Sequence, residues 1–213
     1  PNFLKPKDLY IPGDFSSAAF LIVACLICKD SKLTIKSVGI NHFRTGLLEI
    51  LNKMGAKIKL TNEQNINGEK IADIHIRSSN LKAISLDDKI SPRMIDEYPI
   101  LFVAAAFAIG TSKFTKLKEL KFKESDRLTC MATALKKCGV DLKLSSESIQ
   151  IKGGIRQKGG VRVRTHKDHR IAMSMIIFGL RSDKFVEVDD IEMIKTSFPD
   201  FIKILKNTGA NLK

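Results

Sequence analysis

The sequence predicts a mixed α/β (α+β) domain made of three related units, each with the order strand, helix, strand, helix, strand, strand. Three observations support this fold class. An aspartate precedes an apolar, alanine-rich segment three times, an amphipathic segment ends at a glycine three times, and a strand pattern begins after each glycine. A pattern that recurs in this way indicates a structural repeat.

The three aspartates are Asp14, Asp96 and Asp168. An aspartate directly before an apolar helix is a favourable N-cap, because its carboxylate accepts hydrogen bonds from the unpaired N–H groups of the first turn. We therefore expect each aspartate to begin a buried helix.

The three glycines, Gly55, Gly139 and Gly209, follow segments whose apolar residues recur at helical spacing. Glycine adopts the left-handed conformation that closes a helix, so each is predicted to stand just after a helix C-terminus. Alternating apolar residues predict strands at 73–77 and 148–152.

Residues 63–70 and 153–160 are rich in Gly, Asn and charge, which predicts exposed turns. Neither is a long linker, so one domain is expected over residues 14–213. The third unit stops soon after its second helix and the chain opens on Pro1, so we expect an incomplete fragment of a longer protein. The expected bounds are 1–13 for the end of a preceding domain or a hinge, and near 14–90, 91–160 and 161–213 for the three units.

The formal net charge of +13 attracts anions, from nucleic acids to phosphorylated metabolites. The sequence has no Trp and only two Tyr, so it offers few side chains on which bases could stack. Small anionic ligands are therefore expected rather than a nucleic acid. The apolar runs are shorter than a bilayer crossing and no secretory leader is visible, so neither a membrane span nor export is predicted.

Cys25 and Cys28 form a lone C-x-x-C motif, which is compatible with half of a zinc site or with a redox pair. Both residues lie in an apolar run, and no second pair of ligands is present. We therefore expect buried, reduced thiols in a cytosolic protein, and no metal.

Basic residues stand where two helices are expected to begin. Lys123 and Arg127 flank one helix start and Arg170 lies in the first turn of another, although the helix dipole disfavours cations there. A bound phosphate or carboxylate would remove that repulsion. The alternatives are a surface pair between Glu124 and Arg127, and an Arg170 that only neutralises Asp168. Two arginines at two helix starts favour a shared anion site.

Two adjacent carboxylates, Asp96 and Glu97, stand at the start of the middle apolar helix, where one could cap and the other face a ligand. A carboxylate beside a ligand could take a proton from a hydroxyl, and Glu124 could exchange a proton with carbon. The residues alone leave these roles open. Among the histidines, His169 is the one that adjoins a candidate site residue.

Six short motifs follow one another along essentially the whole chain: G-D-F-S-S-A-A-F at 13–20, R-T-G at 44–46, I-D-E-Y-P-I at 95–100, K-E-S-D-R at 123–127, D-H-R-I-A-M at 168–173 and S-F-P at 197–199. Their order and spacing resemble those of the 3-phosphoshikimate 1-carboxyvinyltransferase (EPSP synthase) family. The fourth and fifth motifs are the most specific, and they separate the chain from the related transferases that act on UDP-N-acetylglucosamine.

The resemblance implies the C-terminal portion of a two-domain enzyme, with substrates in the cleft between the domains. Each domain has three βαβαββ units around buried helices, an arrangement described as an inside-out α/β barrel. In the family, strands from the extreme N-terminus complete the domain seen here. The other domain, which holds further ligands, is missing, so this fragment alone is expected to be inactive.

The implied reaction transfers the enolpyruvyl group of phosphoenolpyruvate to the 5-hydroxyl of shikimate 3-phosphate, in the shikimate pathway that leads to chorismate and aromatic amino acids. It proceeds by addition and then elimination of phosphate, with no metal and no organic cofactor. The resemblance also implies a cytoplasmic enzyme that is a monomer when full-length and that has no nucleic-acid or membrane partner.

The resemblance gives five residues a role. Asp96 resembles the carboxylate that takes the proton of the 5-hydroxyl, and Lys123 the lysine that holds this hydroxyl or its surroundings. Glu124 resembles the acid and base at the methylene carbon. Arg127 and Arg170 resemble the guanidinium groups that clamp the anionic groups of phosphoenolpyruvate. We expect the two arginines to lie close enough to share one small anion, with both carboxylates on the same accessible face.

Two further candidates depart from the family pattern. At the position of Glu119, some members of the family have an asparagine that contacts shikimate, and other members have a glutamate, as this chain does. Lys195 lies one place before the position, here Thr196, at which many members have a lysine.

Two other functions are compatible with the residues. One is a transferase of the same fold that acts on a different acceptor, because acceptor contacts lie largely in the missing half. The other is a basic nucleic-acid-binding module, which a titration with duplex and single strands at two ionic strengths would reveal.

Overall fold

The computed structural model describes residue 6 and residues 8–212. Residues 1–5, residue 7 and Lys213 lie outside the described residues, so the expected hinge or domain end at 1–13 is described only in part.

The predicted order of helices and strands is present in full in the second unit. The first unit has an isolated bridge at Gly13 in place of its first strand, and the described part of the third ends after its second helix. The α-helices are Phe15–Ile27 (α1), Gly46–Lys53 (α2), Tyr98–Ala106 (α3), Arg127–Lys137 (α4), His169–Arg181 (α5) and Phe201–Asn207 (α6). The strands are Lys32–Gly39 (β1), Lys57–Ile66 (β2), Glu69–Arg77 (β3), Ser85–Leu86 (β4), Gly110–Phe114 (β5), Asp141–Leu144 (β6), Ile149–Gly153 (β7), Arg162–Val163 (β8) and Glu187–Val188 (β9).

The strands form three sheets, with the orders β1-β3-β2, β4-β5-β7-β6 and β8-β9. The backbone before the first helix of each unit pairs in parallel with the strand after that helix: Gly13 bridges Val38, β4 pairs with β5, and β8 pairs with β9. Gly13 and β4 lie just before the starts expected for the first and second units, at 14 and 91. The other pairs between named strands are antiparallel. The same connection therefore occurs three times, and the predicted α/β fold class is confirmed.

The first helices of the units form the centre of the domain. All nine residues of α3 and twelve of the thirteen residues of α1 are buried, and α1, α3 and α5 contact one another. A helix that is apolar on every side must be enclosed by other elements, and this applies to α1 and α3. In α5 the buried part is limited to residues 171–178, and basic residues stand at both ends. Within residues 6 and 8–212, no helix combines the length and the apolar character needed to cross a membrane.

The second helices are amphipathic and end as predicted. Gly55, Gly139 and Gly209 follow α2, α4 and α6 with φ values of 87°, 89° and 94°, the left-handed conformation expected of a residue just past a helix end.

The predicted strands at 73–77 and 148–152 are confirmed by β3 and β7. The turn predicted over 63–70 is wrong in its extent, because β2 continues to Ile66 and β3 begins at Glu69. The polar residues 63–65 belong to an exposed part of β2. The turn itself is the pair Asn67-Gly68, a sequence that favours tight hairpins.

Two of the three aspartates cap helices as predicted. A carboxylate oxygen of Asp14 accepts from the backbone N of Ser17 at 2.8 Å, and one of Asp168 accepts from the backbone N of Arg170 at 2.9 Å. Asp96 does not cap, because it lies in a 3₁₀ turn, Ile95–Glu97, and α3 begins only after it. Its side chain is thus left to interact with other elements.

The cysteines are free thiols, and Cys25 is buried within α1 as predicted. Burial raises the pKa of Cys25 and of Cys138 to about 11. A thiol with so high a pKa is almost entirely protonated at neutral pH, so neither residue is a reactive nucleophile.

A close backbone approach behind α3 gives a test of the packing. A Cβ at Gly153 would lie within 3.0 Å of the carbonyl oxygens of Ala105 and Ala108, whereas a Cβ at Gly154 would meet nothing nearer than 3.9 Å. Gly153→Ala is therefore expected to lower the free energy of unfolding by about 1–3 kcal/mol or more. Gly154→Ala is the control, and urea denaturation of both variants measures the difference. Equal stability of the two would contradict the described contact between β7 and α3.

Candidate active site

Three segments that are distant in sequence meet around one carboxylate. Asp96 lies in the turn before α3, Arg127 is the first residue of α4, and Arg170 is the second residue of α5. Asp96 Oδ1 lies 2.9 Å from Arg127 Nη1, and Asp96 Oδ2 lies 3.7 Å from Arg170 Nη2. The predicted proximity of the two arginines is present, with the Asp96 carboxylate between them.

Arg127 is buried, with only 1% of its side chain exposed. Its guanidinium donates from Nη1 to Asp96, from Nε to Asp168 at 2.9 Å, and from Nη2 to Glu124. A buried cation requires paired anions, because it has lost its hydration. In the pair between Glu124 and Arg127 only the arginine is buried, while 52% of the Glu124 side chain is exposed. This differs from the exposed surface pair considered as an alternative, because the guanidinium is enclosed and also pairs with Asp96 and Asp168.

Asp168 is fully buried and saturated with donors. One oxygen accepts from Arg127 Nε and from Ser125 Oγ at 3.0 Å, and the other accepts from the backbone N of Arg170. The alternative in which the Arg170 side chain neutralises Asp168 is wrong, because the guanidinium of Arg170 pairs with Asp96 and Glu97 instead.

Lys123 lies beside the same carboxylate, as the sequence predicted. Its Nζ lies 3.6 Å from Asp96 Oδ1 and 3.4 Å from Glu119 Oε1. Glu119 is thus joined to the edge of the group, but 66% of its side chain is exposed. Glu124 and Asp96 are also accessible, with 52% and 40% of their side chains exposed, which agrees with the expected placement.

Lys195 is not brought into this group. Its Nζ contacts Glu192 Oε1 and Oε2 at 2.9 and 2.7 Å on its own 3₁₀ turn. Across residues 6 and 8–212, no hydrogen bond or ion pair joins Lys195 to Asp96, Arg127 or Arg170.

Asp96 is held in its ionised form. Half-burial alone would raise its pKa, but the charges of Arg170, Lys123 and Arg127, together with the hydrogen bond from Arg127, hold the pKa below its usual range. Next to Arg170, burial lowers the pKa of His169, and the arginine charge lowers it further. The imidazole of His169 is therefore favoured in its neutral form.

The sequence left open whether Glu97 caps a helix or faces a ligand, and its side chain makes no cap hydrogen bond but lies buried behind Arg170. Ser16 and Arg44, to which the sequence gave no role, extend this group. Glu97 is buried, Ser16 Oγ donates to its Oε1 at 2.6 Å, and Arg44 Nη2 lies 3.1 Å from Ser16 Oγ. Each of the three residues lies in one of the six motifs, but nothing in local sequence shows that Ser16 and Glu97 touch across 81 positions.

This group can bind a small anion and move a proton. Lys123, Arg127 and Arg170 surround Asp96, so an arriving phosphate or carboxylate would meet three positive charges. It would compete for them with Asp96 and also with the other carboxylates that pair with these cations, which are Glu97, Glu119, Glu124 and Asp168. Glu124 is the accessible carboxylate at the rim. Within the described part of the chain, no three His, Cys, Asp or Glu side chains are grouped so as to hold a metal ion.

Comparisons with known proteins identify the family. The model of the family described as EPSP synthase (3-phosphoshikimate 1-carboxyvinyltransferase) matches residues 1–205. A 3-phosphoshikimate 1-carboxyvinyltransferase from Bartonella henselae is 47% identical over 98% of this chain, and one from Sphingopyxis alaskensis is 48% identical over 95%. The chain belongs to the EPSP synthase family.

The solved structures agree with that family and with the fold. EPSP synthase from Acinetobacter baumannii superposes with a TM-score of 0.91 at 41% identity, covering 95% of this chain and 47% of its own. The enolpyruvyl transferase NikO from Streptomyces tendae gives a TM-score of 0.74 at 16% identity, which is a likeness of fold. The chain spans about half the length of the relatives it matches, 48% of the Bartonella henselae protein and 46% of the Sphingopyxis alaskensis protein.

Removal of Asp168 from its buried pair with Arg127 should lower stability more than removal of an exposed helix cap does. Asp168→Ala leaves Arg127 without one of its buried partners and is expected to lower the free energy of unfolding by about 3–5 kcal/mol. Asp14→Ala removes an equivalent but exposed cap and is expected to cost about 1 kcal/mol. Urea denaturation of the two variants compares them, and equal losses would contradict a structural role for the buried pair.

The low pKa of Asp96 predicts a dependence of stability on pH. The unfolded chain takes up this proton near pH 4, before the folded chain does, so the stabilisation is complete above about pH 5 and is lost as the pH falls through the lower folded-state pKa. The stability difference between the wild type and Asp96→Asn should therefore shrink on acidification. Urea denaturation between pH 3 and pH 7 tests this, and a difference that stays constant would rule it out.

Proposed function

We propose that this chain forms one wall of the active site of an EPSP synthase, which transfers the enolpyruvyl group of phosphoenolpyruvate to the 5-hydroxyl of shikimate 3-phosphate. The products are 5-enolpyruvylshikimate 3-phosphate and phosphate. The observation that supports this most directly is the Asp96 carboxylate surrounded by Arg127, Arg170 and Lys123 in a member of this family.

The arginines differ in how they can hold phosphoenolpyruvate. Arg127 already donates from Nε, Nη1 and Nη2 and is almost fully buried, so an anion at Arg127 would have to compete with Asp96 and Glu124 for this guanidinium. Arg170 is 12% exposed and approaches the Asp96 carboxylate only at 3.7 Å. We therefore assign the first contact with the anion to Arg170 and Lys123, with Arg127 holding the carboxylates in place.

Asp96 is the base that takes the proton of the 5-hydroxyl. With three cations beside it and a low pKa, it is a weak base in the free site. A bound anion offsets those positive charges, and the basicity of Asp96 then rises when the second substrate is in place. Substrate binding and base strength are coupled in this way.

Glu124 exchanges the second proton. It gives a proton to the methylene carbon as the hydroxyl oxygen bonds to the adjacent carbon, which forms the tetrahedral adduct. It then takes a proton back from the new methyl group as the carbon–oxygen bond to phosphate breaks. Its accessible position at the rim and its contact with Arg127 support this role.

A complementary half completes the enzyme. In the described structure, α6 ends at Asn207, and a groove of about 490 Å³ separates the third unit from α1 and β1. Apolar side chains including Leu21, Leu33 and Leu205 line this groove. We propose that strands of the missing half cover it, and that the complete enzyme is a cytoplasmic monomer without a nucleic-acid partner. The free cysteines are consistent with a reducing compartment.

The function is tested by phosphate release from the two substrates. The chain alone should release none, and the chain together with the missing half, or the full-length enzyme, should release phosphate at a normal rate. Normal turnover by the chain alone would refute the proposal that it is half of a site. Turnover by the complete enzyme only with a different acceptor would refute the assigned substrate.

Two variants of the complete enzyme test the residue roles. Arg170→Ala should weaken binding of phosphoenolpyruvate by about 2–4 kcal/mol, because a charge-assisted contact is lost. Glu124→Gln should lower turnover with binding largely kept. Arg93→Ala is the control, since this arginine pairs with Glu49 at 2.9 Å outside the site. Full turnover of Glu124→Gln would contradict its acid and base role.

A further inference from the structure

A buried carboxylate lies directly behind Arg170. The side chain of Glu97 is only 5% exposed, and its Oε1 lies 3.4 Å from Arg170 Nη1. The same Nη1 donates to the backbone oxygen of Asp96 at 3.0 Å. The guanidinium is therefore fixed at one nitrogen by two acceptors, while its other nitrogen, Nη2, is the one that faces the Asp96 carboxylate.

Glu97 is in turn fixed by residues of the first unit. Ser16, in the first turn of α1, donates to Glu97 Oε1 at 2.6 Å. Arg44 Nη2 donates to Ser16 Oγ at 3.1 Å, and the same nitrogen lies 3.5 Å from Asp14 Oδ1. A continuous set of contacts thus runs from the rim of the first unit, through Glu97, to the arginine of the third unit.

This carboxylate is not placed where it would add most to stability. Burial raises the pKa of Glu97, and neither the hydrogen bond from Ser16 nor the charge of Arg170 brings the pKa back to its usual value. The ionised form is thus less favourable here than in water, and an apolar side chain would avoid that cost. What the proposed reaction can use is the contact that the Glu97 carboxylate makes with Arg170.

We infer that Glu97 is a positioning residue, which holds the Arg170 guanidinium so that Nη2 faces the site where the anion of phosphoenolpyruvate binds. This role rests on the proposed function of Arg170. Ser16 fixes the orientation of the Glu97 carboxylate, so the first unit contributes to the anion site without touching the ligand.

A double-mutant cycle in the complete enzyme tests the inference. Glu97→Ala is expected to raise the KM for phosphoenolpyruvate about 10-fold, with the KM for shikimate 3-phosphate within about 2-fold of the wild type. In the Arg170→Ala background, Glu97→Ala should have little further effect, because the group it positions is gone. Glu97→Gln keeps an acceptor for Ser16 and Arg170 and should restore most of the affinity.

The matched control is Glu49→Ala, which removes a carboxylate that also pairs with an arginine, Arg93, but away from the site. It should leave both KM values unchanged. Additive effects of Glu97→Ala and Arg170→Ala, or an equal rise in both KM values, would overturn the inference, because a general loss of structure behaves in that way.

A second readout does not depend on turnover. In the ¹⁵N spectrum of arginine side chains, restricted rotation of the Arg170 guanidinium should give separate Nη signals in the wild type and in Glu97→Gln. Those signals should merge in Glu97→Ala. Unchanged signals in Glu97→Ala would overturn the positioning role. If the wild-type enzyme does not turn over the two substrates, the proposed function fails, and this spectrum still decides whether Glu97 holds Arg170.

Discussion

The buried guanidinium of Arg127 is the constraint on which the rest of the site depends. A cation that has lost its water is stable only among anions, and here Asp96, Glu124 and Asp168 supply them. These carboxylates come from the turn before α3, the segment before α4 and the cap of α5. Pairing with one arginine therefore fixes the second unit against the third, and it places Asp96 beside Arg170.

The fold was predictable because its signals are local. An aspartate that caps the next turn and a glycine just past a helix end act within a few residues. The glycine recurs in all three units and the aspartate cap in two of them. Asp96 is the exception among the three aspartates. Its sequence context is that of a cap, but the 3₁₀ turn delays the start of α3, and the carboxylate pairs instead with cations from other elements.

The grouping of the candidate residues was predictable from the motifs, but the burial of individual side chains within the group was not. The family motifs pointed to Asp96, Lys123, Glu124, Arg127 and Arg170, and the structure groups all five. Burial of Arg127 and Glu97 was not predictable, because it depends on packing between segments that lie 41 and 81 positions apart, Asp168 against Arg127 and Ser16 against Glu97. Such contacts cannot be inferred from the neighbouring sequence. Lys195 lies close to the S-F-P motif in sequence but does not contact the group, so closeness to a motif in sequence does not place a side chain in the site.

Asp14, Asp96 and Asp168 occupy matching places in the three units but have diverged into different tasks. One caps a helix at an exposed position, one faces outward among cations, and one caps a helix while neutralising a buried arginine. The three units share one backbone arrangement, but the aspartates at matching positions make different interactions. A consensus sequence averaged over the three units would thus preserve the architecture while erasing the differences that distinguish a binding surface from a scaffold.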